Sequence, residues 1–195
     1  GDHRDLHSFP RRRSSDLRVG AAVTGAELDE HKALKKLWPG VVEAVELIGS
    51  TQIQGRASMG GNLCNASPAA DSVPALIAAG AQCHIAGPDG ERTLPVEDFC
   101  TGPGVTNLQT GEFLVSFSLP SRPRHSGDAY LRFIPRTEMD IAVVGVGVSL
   151  SFDSNGICVA ARVGLGAVAA TALLVTEAAD ALIGTSVDEQ RISVM

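Results

Sequence analysis

The residue types best suited to ligand chemistry in this chain lie in one short segment, Ser58-Met59-Gly60-Gly61-Asn62. Two adjacent glycines allow a backbone to approach a ligand closely, and consecutive N–H groups in a turn can hold an anion. This composition predicts a loop that wraps a phosphate group. The residues alone leave an ordinary turn before a helix as an equally good interpretation.

Three polar side chains near this segment are further candidates. Asp71 could bond a ligand sugar or hydroxyl, but its place just before a helix predicted from Pro74 to Ala79 favours capping of that helix. Asn62 and Ser67 are expected to bond the backbone of their own loop, although either could donate to a phosphate oxygen.

A second glycine pattern, Gly164-Leu165-Gly166-Ala167-Val168-Ala169, fits the dinucleotide fingerprint G-x-G-x-x-A. That fingerprint needs a second strand with an acidic residue about 20 positions later. Here the acidic residues at that distance, Asp180 to Asp188, lie in or after a predicted helix. We therefore favour tight packing of a strand against a helix.

Composition excludes several classes of function. The formal net charge is −6, which argues against nucleic-acid binding, and an acidic chain that holds a pyrophosphate must rely on backbone N–H groups. No apolar run reaches the ~18 residues of a membrane span. The four cysteines are widely spaced without C-x-x-C, which argues against a zinc or iron–sulfur site and favours reduced thiols in a cytoplasmic protein.

No recognisable set of catalytic acids and bases accompanies these candidates. The five histidines are scattered, and hydrolase, metalloprotease and P-loop patterns are absent from the sequence. A ligand loop without an acid–base set is typical of a protein whose cofactor does its own chemistry.

The elements that must position these residues follow from periodicity and turn signals. The predicted helices span 24–37 (ended by Pro39-Gly40), 41–48, 74–79 and 171–182, and the predicted strands span 17–21, 82–86, 91–94, 112–119, 129–134, 140–152 and 157–165. In the strand 112–119, alternation puts Phe113, Val115, Phe117 and Leu119 on one face. Residues 120–127 are predicted to link two domains.

Longer stretches of the chain resemble one family. They include Ile48-Gly49-Ser50, Ala57 to Asp71, Phe99 to Gly104, Met139 to Val148 and Arg162 to Val168. These stretches are similar to the FAD-binding medium subunit of molybdenum hydroxylases, the carbon monoxide dehydrogenase and xanthine dehydrogenase family. The resemblance implies an α+β fold: an FAD-binding domain of the PCMH (vanillyl-alcohol-oxidase-like) type, followed by a small domain with a three-stranded antiparallel sheet and helices.

The domain boundaries expected from this resemblance are 17–122 for the FAD-binding domain and 127–195 for the C-terminal domain, each incomplete at its outer end. Residues 1–16 are expected to be a non-native or disordered leader. An earlier Ala-Gly-Gly loop, which relatives use as a first pyrophosphate clamp, does not precede Leu17. We therefore expect this chain alone to bind FAD weakly or not at all.

The resemblance also implies the site residues. The segment of Ser58, Met59, Gly60, Gly61 and Asn62 corresponds to the loop that touches the FAD pyrophosphate, and Asp71 to an acid that contacts FAD. Ile48 and Leu114 correspond to positions beside the flavin. Arg132 falls where relatives usually carry a basic residue, often lysine. No catalytic side chain and no metal ligand is implied.

The implied function is an oxidoreductase subunit that passes electrons from [2Fe-2S] clusters to FAD and on to NAD or a quinone. Its implied partners are a molybdopterin-containing large subunit and a [2Fe-2S] small subunit, assembled as a dimer of heterotrimers. Two alternatives stay open: a flavin-free assembly module of the same complex, and an independent flavoprotein reductase or oxidase.

Overall fold

The computed structural model describes residues 16–136 and 139–187, so the leader predicted over 1–16 lies outside the described residues except for Asp16. The first unit contains β1 (Leu17–Gly20), α1 (Gly25–Glu30), α2 (Lys32–Leu37), α3 (Pro39–Glu46), α4 (Thr51–Gln54), α5 (Met59–Cys64), α6 (Ser72–Ala78), β2 (Gln82–Gly87), β3 (Gly90–Pro95), β4 (Cys100–Gly102), β5 (Val105–Thr106) and β6 (Phe113–Leu119). The second unit contains β7 (Ser126–Phe133), β8 (Val144–Phe152), β9 (Cys158–Gly166), β10 (Leu173–Leu174) and α7 (Thr176–Leu182). No helix among the described residues is long and apolar enough to cross a membrane.

The first unit packs its helices against an antiparallel sheet of order β1-β6-β2-β3. The predicted hairpin is present as β2 and β3. The predicted helix over 24–37 is wrong in its continuity, because His31 leaves the helical conformation and its Nδ1 accepts a hydrogen bond from Leu34 N. Pro39 begins α3 instead of ending the preceding helix, since proline suits a first helical turn.

The predicted face of β6 is wrong at its beginning. His84 pairs with Ser116 whereas Ile85 pairs with Leu114, so Val115 is an extra residue opposite β2. This bulge reverses the alternation, because an inserted residue shifts every later side chain to the other face. Leu114 is therefore buried and Phe113 is exposed, while Phe117 and Leu119 remain in the core.

The second unit is an antiparallel sheet of order β10-β9-β8-β7, so the short strand β10 is added to the expected three strands. The hairpin of β8 and β9 closes through the predicted turn, where Gly156 has a positive φ of 79°. The predicted helix over 171–182 is wrong in its first five residues. Leu173 and Leu174 pair with β9 as a short strand, and α7 begins only at Thr176.

Helix α6 lies between the two units and is buried along its whole length. A side chain at Gly147 would lie 2.5 Å from the Pro74 carbonyl oxygen, and one at Gly164 would overlap the same atom. These glycines therefore let β8 and β9 approach α6 closely. For Gly164 and Gly166 the packing interpretation holds, and the dinucleotide fingerprint is not formed.

Helix α3 runs along β7 and joins it to the first unit at three levels. Gly40 N donates to Asp128 Oδ2 at 2.8 Å, Tyr130 N donates to Glu43 Oε2 at 3.1 Å, and an Arg132 Nη1 donates to the Leu47 carbonyl at 3.1 Å. Asp128, Tyr130 and Arg132 alternate along β7, so their side chains share one face of the strand. This face of β7 is presented to the first unit.

Candidate functional site

The glycine segment forms the first turn of α5, which is closer to the predicted turn before a helix than to the predicted loop around a phosphate group. Ser58 precedes the helix in an extended conformation, and its Oγ accepts a hydrogen bond of 3.1 Å from Gly61 N. Gly60 N donates to the Ala21 carbonyl at 3.1 Å, and Asn62 N donates to the Ser58 carbonyl at 2.9 Å. The N–H groups of Gly60 and Gly61, which were expected to face a phosphate, are thus bonded within the protein.

The two glycines play different structural parts. A Cβ at Gly60 would lie 2.7 Å from the Ala21 Cβ, so this position requires glycine for packing. Gly61 is exposed, and a Cβ there would approach only the Ser58 hydroxyl, at 3.3 Å. Of the two, Gly61 is therefore the one that a ligand can reach.

Asn62 connects α5 to α6, which differs from the predicted bond to its own loop. Its Oδ1 accepts hydrogen bonds from Ser72 N at 3.1 Å and from Ser72 Oγ at 2.7 Å. Asn62 thereby bonds the first N–H group of α6, which is the capping role that was predicted for Asp71. Ser67 behaves as predicted, since its Oγ accepts from Ala69 N within the same loop.

The Asp71 side chain does not cap α6, so the predicted capping role is wrong. Its backbone has the helical angles φ −60° and ψ −40°, whereas a capping residue is usually extended. Its carboxylate reaches β7 instead. Asp71 Oδ2 accepts a hydrogen bond of 2.9 Å from Nη1 of Arg132, and Oδ1 accepts one of 3.0 Å from the Tyr130 hydroxyl.

This Asp71–Arg132–Tyr130 cluster is largely buried: the side chains of Asp71 and Arg132 are 12% and 9% exposed, and Tyr130 is 3% exposed. Burial raises the pKa of the Asp71 carboxyl above its ordinary value, against the lowering effects of the Arg132 charge and the two hydrogen bonds. Burial, followed by the Asp71 charge, raises the pKa of Tyr130, so the phenol remains a donor.

The structure brings together some of the predicted site residues. Asp71 and Arg132 are in direct contact, and Arg132 also bonds the carbonyl of Leu47, the neighbour of Ile48. Ile48 is half-buried against the core. The side chains of Met59 and Leu114 lie in the core itself, where they are 1% and 9% exposed.

Tyr130 belongs to this cluster but was not predicted from the sequence. Alternation along β7 places it on the same face as Arg132, which is a signal available in the sequence. What alternation does not reveal is the partner, because Asp71 lies 59 residues earlier in the chain.

The cluster and the start of α5 fit FAD, whose hydroxyl groups and diphosphate need acceptors and donors respectively. A carboxylate has about four lone-pair sites, and Asp71 uses one on each oxygen here. The remaining sites can accept hydrogen bonds from ligand hydroxyls. At Gly61, a phosphate oxygen can replace the exposed Ser58 hydroxyl as acceptor, while Gly60 N remains committed to Ala21.

Two family models match this chain. Residues 4–122 match the FAD binding domain in molybdopterin dehydrogenase, and residues 129–195 match the CO dehydrogenase flavoprotein C-terminal domain. Together they include every candidate residue described above.

Curated relatives point the same way. The chain is 32% identical to a xanthine dehydrogenase FAD-binding subunit of Escherichia coli O157:H7 over 77% of its own length and 54% of that protein. It is also 32% identical to the carbon monoxide dehydrogenase medium chain of Afipia carboxidovorans, over 92% of its length and 62% of that protein. The chain thus spans less than two thirds of each relative.

The fold is similar to that of two solved enzymes. A chain of the Cu,Mo-CO dehydrogenase, in its cyanide-inactivated form, matches with a TM-score of 0.87 and 31% identity, over 94% of this chain and 64% of that one. A chain of quinoline 2-oxidoreductase from Pseudomonas putida 86 matches with a TM-score of 0.82 and 29% identity, over 94% and 63% respectively.

Proposed function

This chain belongs to the family of FAD-binding subunits of the molybdopterin dehydrogenases, and on that premise we propose that it holds FAD between α5 and the Asp71–Arg132–Tyr130 cluster. The observation that carries the proposal is the match of residues 4–122 to the FAD-binding domain of that family. The partly unused hydrogen-bonding capacity of the buried Asp71 carboxylate supports it.

The roles of the chain's own residues follow from their chemistry. Asp71 accepts hydrogen bonds from hydroxyl groups of the cofactor, and Arg132 keeps the carboxylate ionised and in place. The exposed Gly61 N–H donates to a diphosphate oxygen once Ser58 Oγ is displaced. Ile48 lies beside the Leu47 carbonyl that Arg132 binds, and its apolar side chain packs against the flavin ring.

Bound FAD would supply the redox chemistry that passes electrons from [2Fe-2S] clusters to NAD or a quinone. The partners that we propose are a molybdopterin-containing large subunit and a [2Fe-2S] small subunit, in a dimer of heterotrimers. The similarity of this chain to a FAD-binding subunit of xanthine dehydrogenase and to the medium chain of carbon monoxide dehydrogenase supports the proposal.

Equilibrium dialysis of the full 195-residue chain against FAD, FMN and ADP tests this function. The sequence left two outcomes open, weak FAD binding or none, and the unused acceptor sites of Asp71 favour weak binding. We therefore expect weak but saturable binding of FAD, and weaker binding of FMN and ADP, each of which offers only part of the contacts. Asp71→Asn should weaken FAD binding. Asp89→Asn is the matched control, because Asp89 is exposed in the turn between β2 and β3.

Two results would overturn the proposal. One is the absence of saturable FAD binding by the wild-type chain at millimolar concentrations. The other is an equal FAD affinity of Asp71→Asn and Asp89→Asn, which would remove Asp71 from the site. A flavin-free assembly module is the interpretation favoured by the first result.

A further inference from the structure

Tyr130 is the only tyrosine of the chain, and its hydroxyl is the second donor to the Asp71 carboxylate. The residue is buried at 3% exposure in the middle of β7. Its backbone N–H is fixed by Glu43 of α3 at 3.1 Å. The strand therefore cannot move away from α3 at this residue without breaking that bond.

The ring is also placed by Gly145, one of two neighbouring glycines in β8 that have no role in the proposed function so far. A Cβ at Gly145 would overlap the Tyr130 hydroxyl and lie 3.2 Å from the ring carbon that carries it. The missing side chain thus creates the space in which the hydroxyl meets Asp71. The neighbouring Gly147 serves a different contact, with Pro74 of α6.

Two donors hold the carboxylate from opposite oxygens: Tyr130 binds Oδ1 and Arg132 binds Oδ2. With Arg132 as its only donor, the carboxylate could rotate about its bond to Cβ, and Oδ1 would lose its contact with β7. The phenol has a single O–H group, and in this structure that group donates to Asp71. Its position therefore decides where the unused lone pairs of Asp71 are directed.

We propose that Tyr130 is a positioning residue for FAD: seated in the space left by Gly145, it fixes Asp71 Oδ1 so that the carboxylate accepts hydrogen bonds from the hydroxyl groups of the cofactor. This inference rests on the proposed function. It adds a residue that acts through Asp71 without touching FAD itself.

The test is a double-mutant cycle of Tyr130→Phe and Asp71→Asn, read out as the dissociation constant for FAD of the full chain. Phenylalanine keeps the ring and removes only the hydroxyl. We expect about a tenfold loss of FAD affinity, as for one hydrogen bond to a charged acceptor. In the Asp71→Asn background the same change should cost much less, because the hydroxyl acts through the carboxylate.

A pH profile separates positioning from simple packing. The charged and titratable groups around Asp71 are Arg132 and Tyr130 on β7, with Glu43 on α3 holding the Tyr130 backbone. Loss of the phenol donor disfavours the ionised carboxylate, so the acid-side loss of FAD affinity should move to higher pH in Tyr130→Phe. A variant that only loosens packing would weaken binding without this movement.

The outcomes are distinct. Absence of saturable FAD binding by the wild-type chain overturns the proposed function and this inference together. An unchanged FAD affinity and pH profile in Tyr130→Phe, with affinity still dependent on Asp71, overturns only the inference. An equal loss in both backgrounds also overturns it.

Discussion

Two buried arginine–aspartate pairs anchor β7 to the first unit, and they differ in what completes them. The Arg122–Asp128 pair has an Nη1–Oδ1 distance of 2.5 Å, and the Arg132–Asp71 pair an Nη1–Oδ2 distance of 2.9 Å. Exposure is low in both. The Asp128 side chain is 5% exposed and that of Asp71 12%.

The carboxylate of the first pair is completed by the backbone of the first unit. Asp128 Oδ2 accepts from Gly40 N at the start of α3, and the guanidinium of Arg122 lies 4.8 Å from the centre of the Trp38 ring while also bonding the Leu37 carbonyl. In the second pair Arg132 likewise bonds a backbone carbonyl, that of Leu47. Among the described residues, however, the Asp71 carboxylate has no backbone donor, and the Tyr130 hydroxyl of β7 is its second partner. Two equally buried ion pairs therefore need not have the same role. We propose a structural role for Asp128 and a ligand-binding role for Asp71.

Asp128→Ala should have the largest effect on stability. It leaves the Arg122 charge buried without its partner, and breaking such a pair costs about 3–5 kcal/mol. Urea unfolding followed by the fluorescence of Trp38, the only tryptophan, measures this loss. Below the unfolding transition, the FAD affinity of the folded variant should equal that of the wild type.

The double variant Arg122→Met with Asp128→Leu is the control for that result, since it removes both charges and should lose much less stability. If Asp128→Ala were no less stable than Asp71→Asn, the structural role of the Asp128 pair would be wrong.

Asp71→Asn should have the next largest effect and should separate binding from stability. We expect a stability loss of about 2 kcal/mol, typical of a weakened hydrogen bond to a charged group, with a loss of FAD affinity of more than about tenfold. Asp128→Asn is the matched variant. It should lower stability while leaving FAD affinity unchanged.

The pH dependence of Asp71 sharpens the same contrast. Because burial raises its pKa in the folded chain, the folded state binds more protons than the unfolded state above the ordinary value of 3.8. Its contribution to the free energy of unfolding therefore falls as pH rises from that value through the raised pKa. FAD affinity should rise over the same window, since the ionised carboxylate is the acceptor.

Parallel measurements of urea unfolding and FAD binding across acid pH would show these opposite slopes. Burial also raises the pKa of Asp128. Its titration should lower the free energy of unfolding as pH rises, without changing FAD affinity. A rise of FAD affinity with pH that persists in Asp71→Asn would assign the titration to another group.

Much of this arrangement was predictable from local sequence, and the reasons for the rest are physical. Turn residues identify the β2–β3 and β8–β9 hairpins, and the glycines of β9 indicate close packing against a helix. The bulge at Val115 was not predictable, because strand alternation assumes one residue opposite each partner. The ion pair of Asp71 with Arg132 joins residues 61 positions apart, and no local pattern specifies such a contact.

The glycine segment shows the same limit at short range. Two glycines signal a close backbone approach, but they do not say to what. For Gly60 the neighbour is Ala21 of the protein, and only Gly61 remains exposed. Family resemblance predicted Asp71 and Arg132 as separate contacts, while their direct bond and the contribution of Tyr130 required the structure.

Gly145→Ala should have a smaller effect, confined to the Asp71 pair. The added methyl group overlaps the end of the Tyr130 side chain, which can shift, so we expect a stability loss of about 1 kcal/mol. FAD affinity should fall because the hydroxyl moves from Asp71. Gly127→Ala in β7 is the control, since its Cβ would have open space. Equal FAD affinity in both variants would contradict the role of Gly145.

Glu112→Gln should have the smallest effect, and it tests a pair with a partly exposed arginine against the two buried pairs: the Arg92 side chain is 34% exposed and that of Glu112 13%. Arg92 binds both oxygens of Glu112 at 2.7 Å, and Gln109 N donates to the same carboxylate. The hydrogen bonds from Arg92 and then from Gln109 lower the pKa of Glu112 from its ordinary 4.5 to about 2. This direction is opposite to that of Asp71 and Asp128.

The depressed pKa of Glu112 stabilises the fold above pH 4.5, and this contribution is lost as pH falls towards about 2. The free energy of unfolding of Glu112→Gln should therefore fall less steeply than that of the wild type as pH is lowered through this window. The two proteins should be equally stable near about pH 2. Because salt screens exposed charges, the difference should shrink in high salt, whereas the effect of Asp128→Ala should persist. A salt-insensitive difference would mean that burial, and not exposure, governs this pair too.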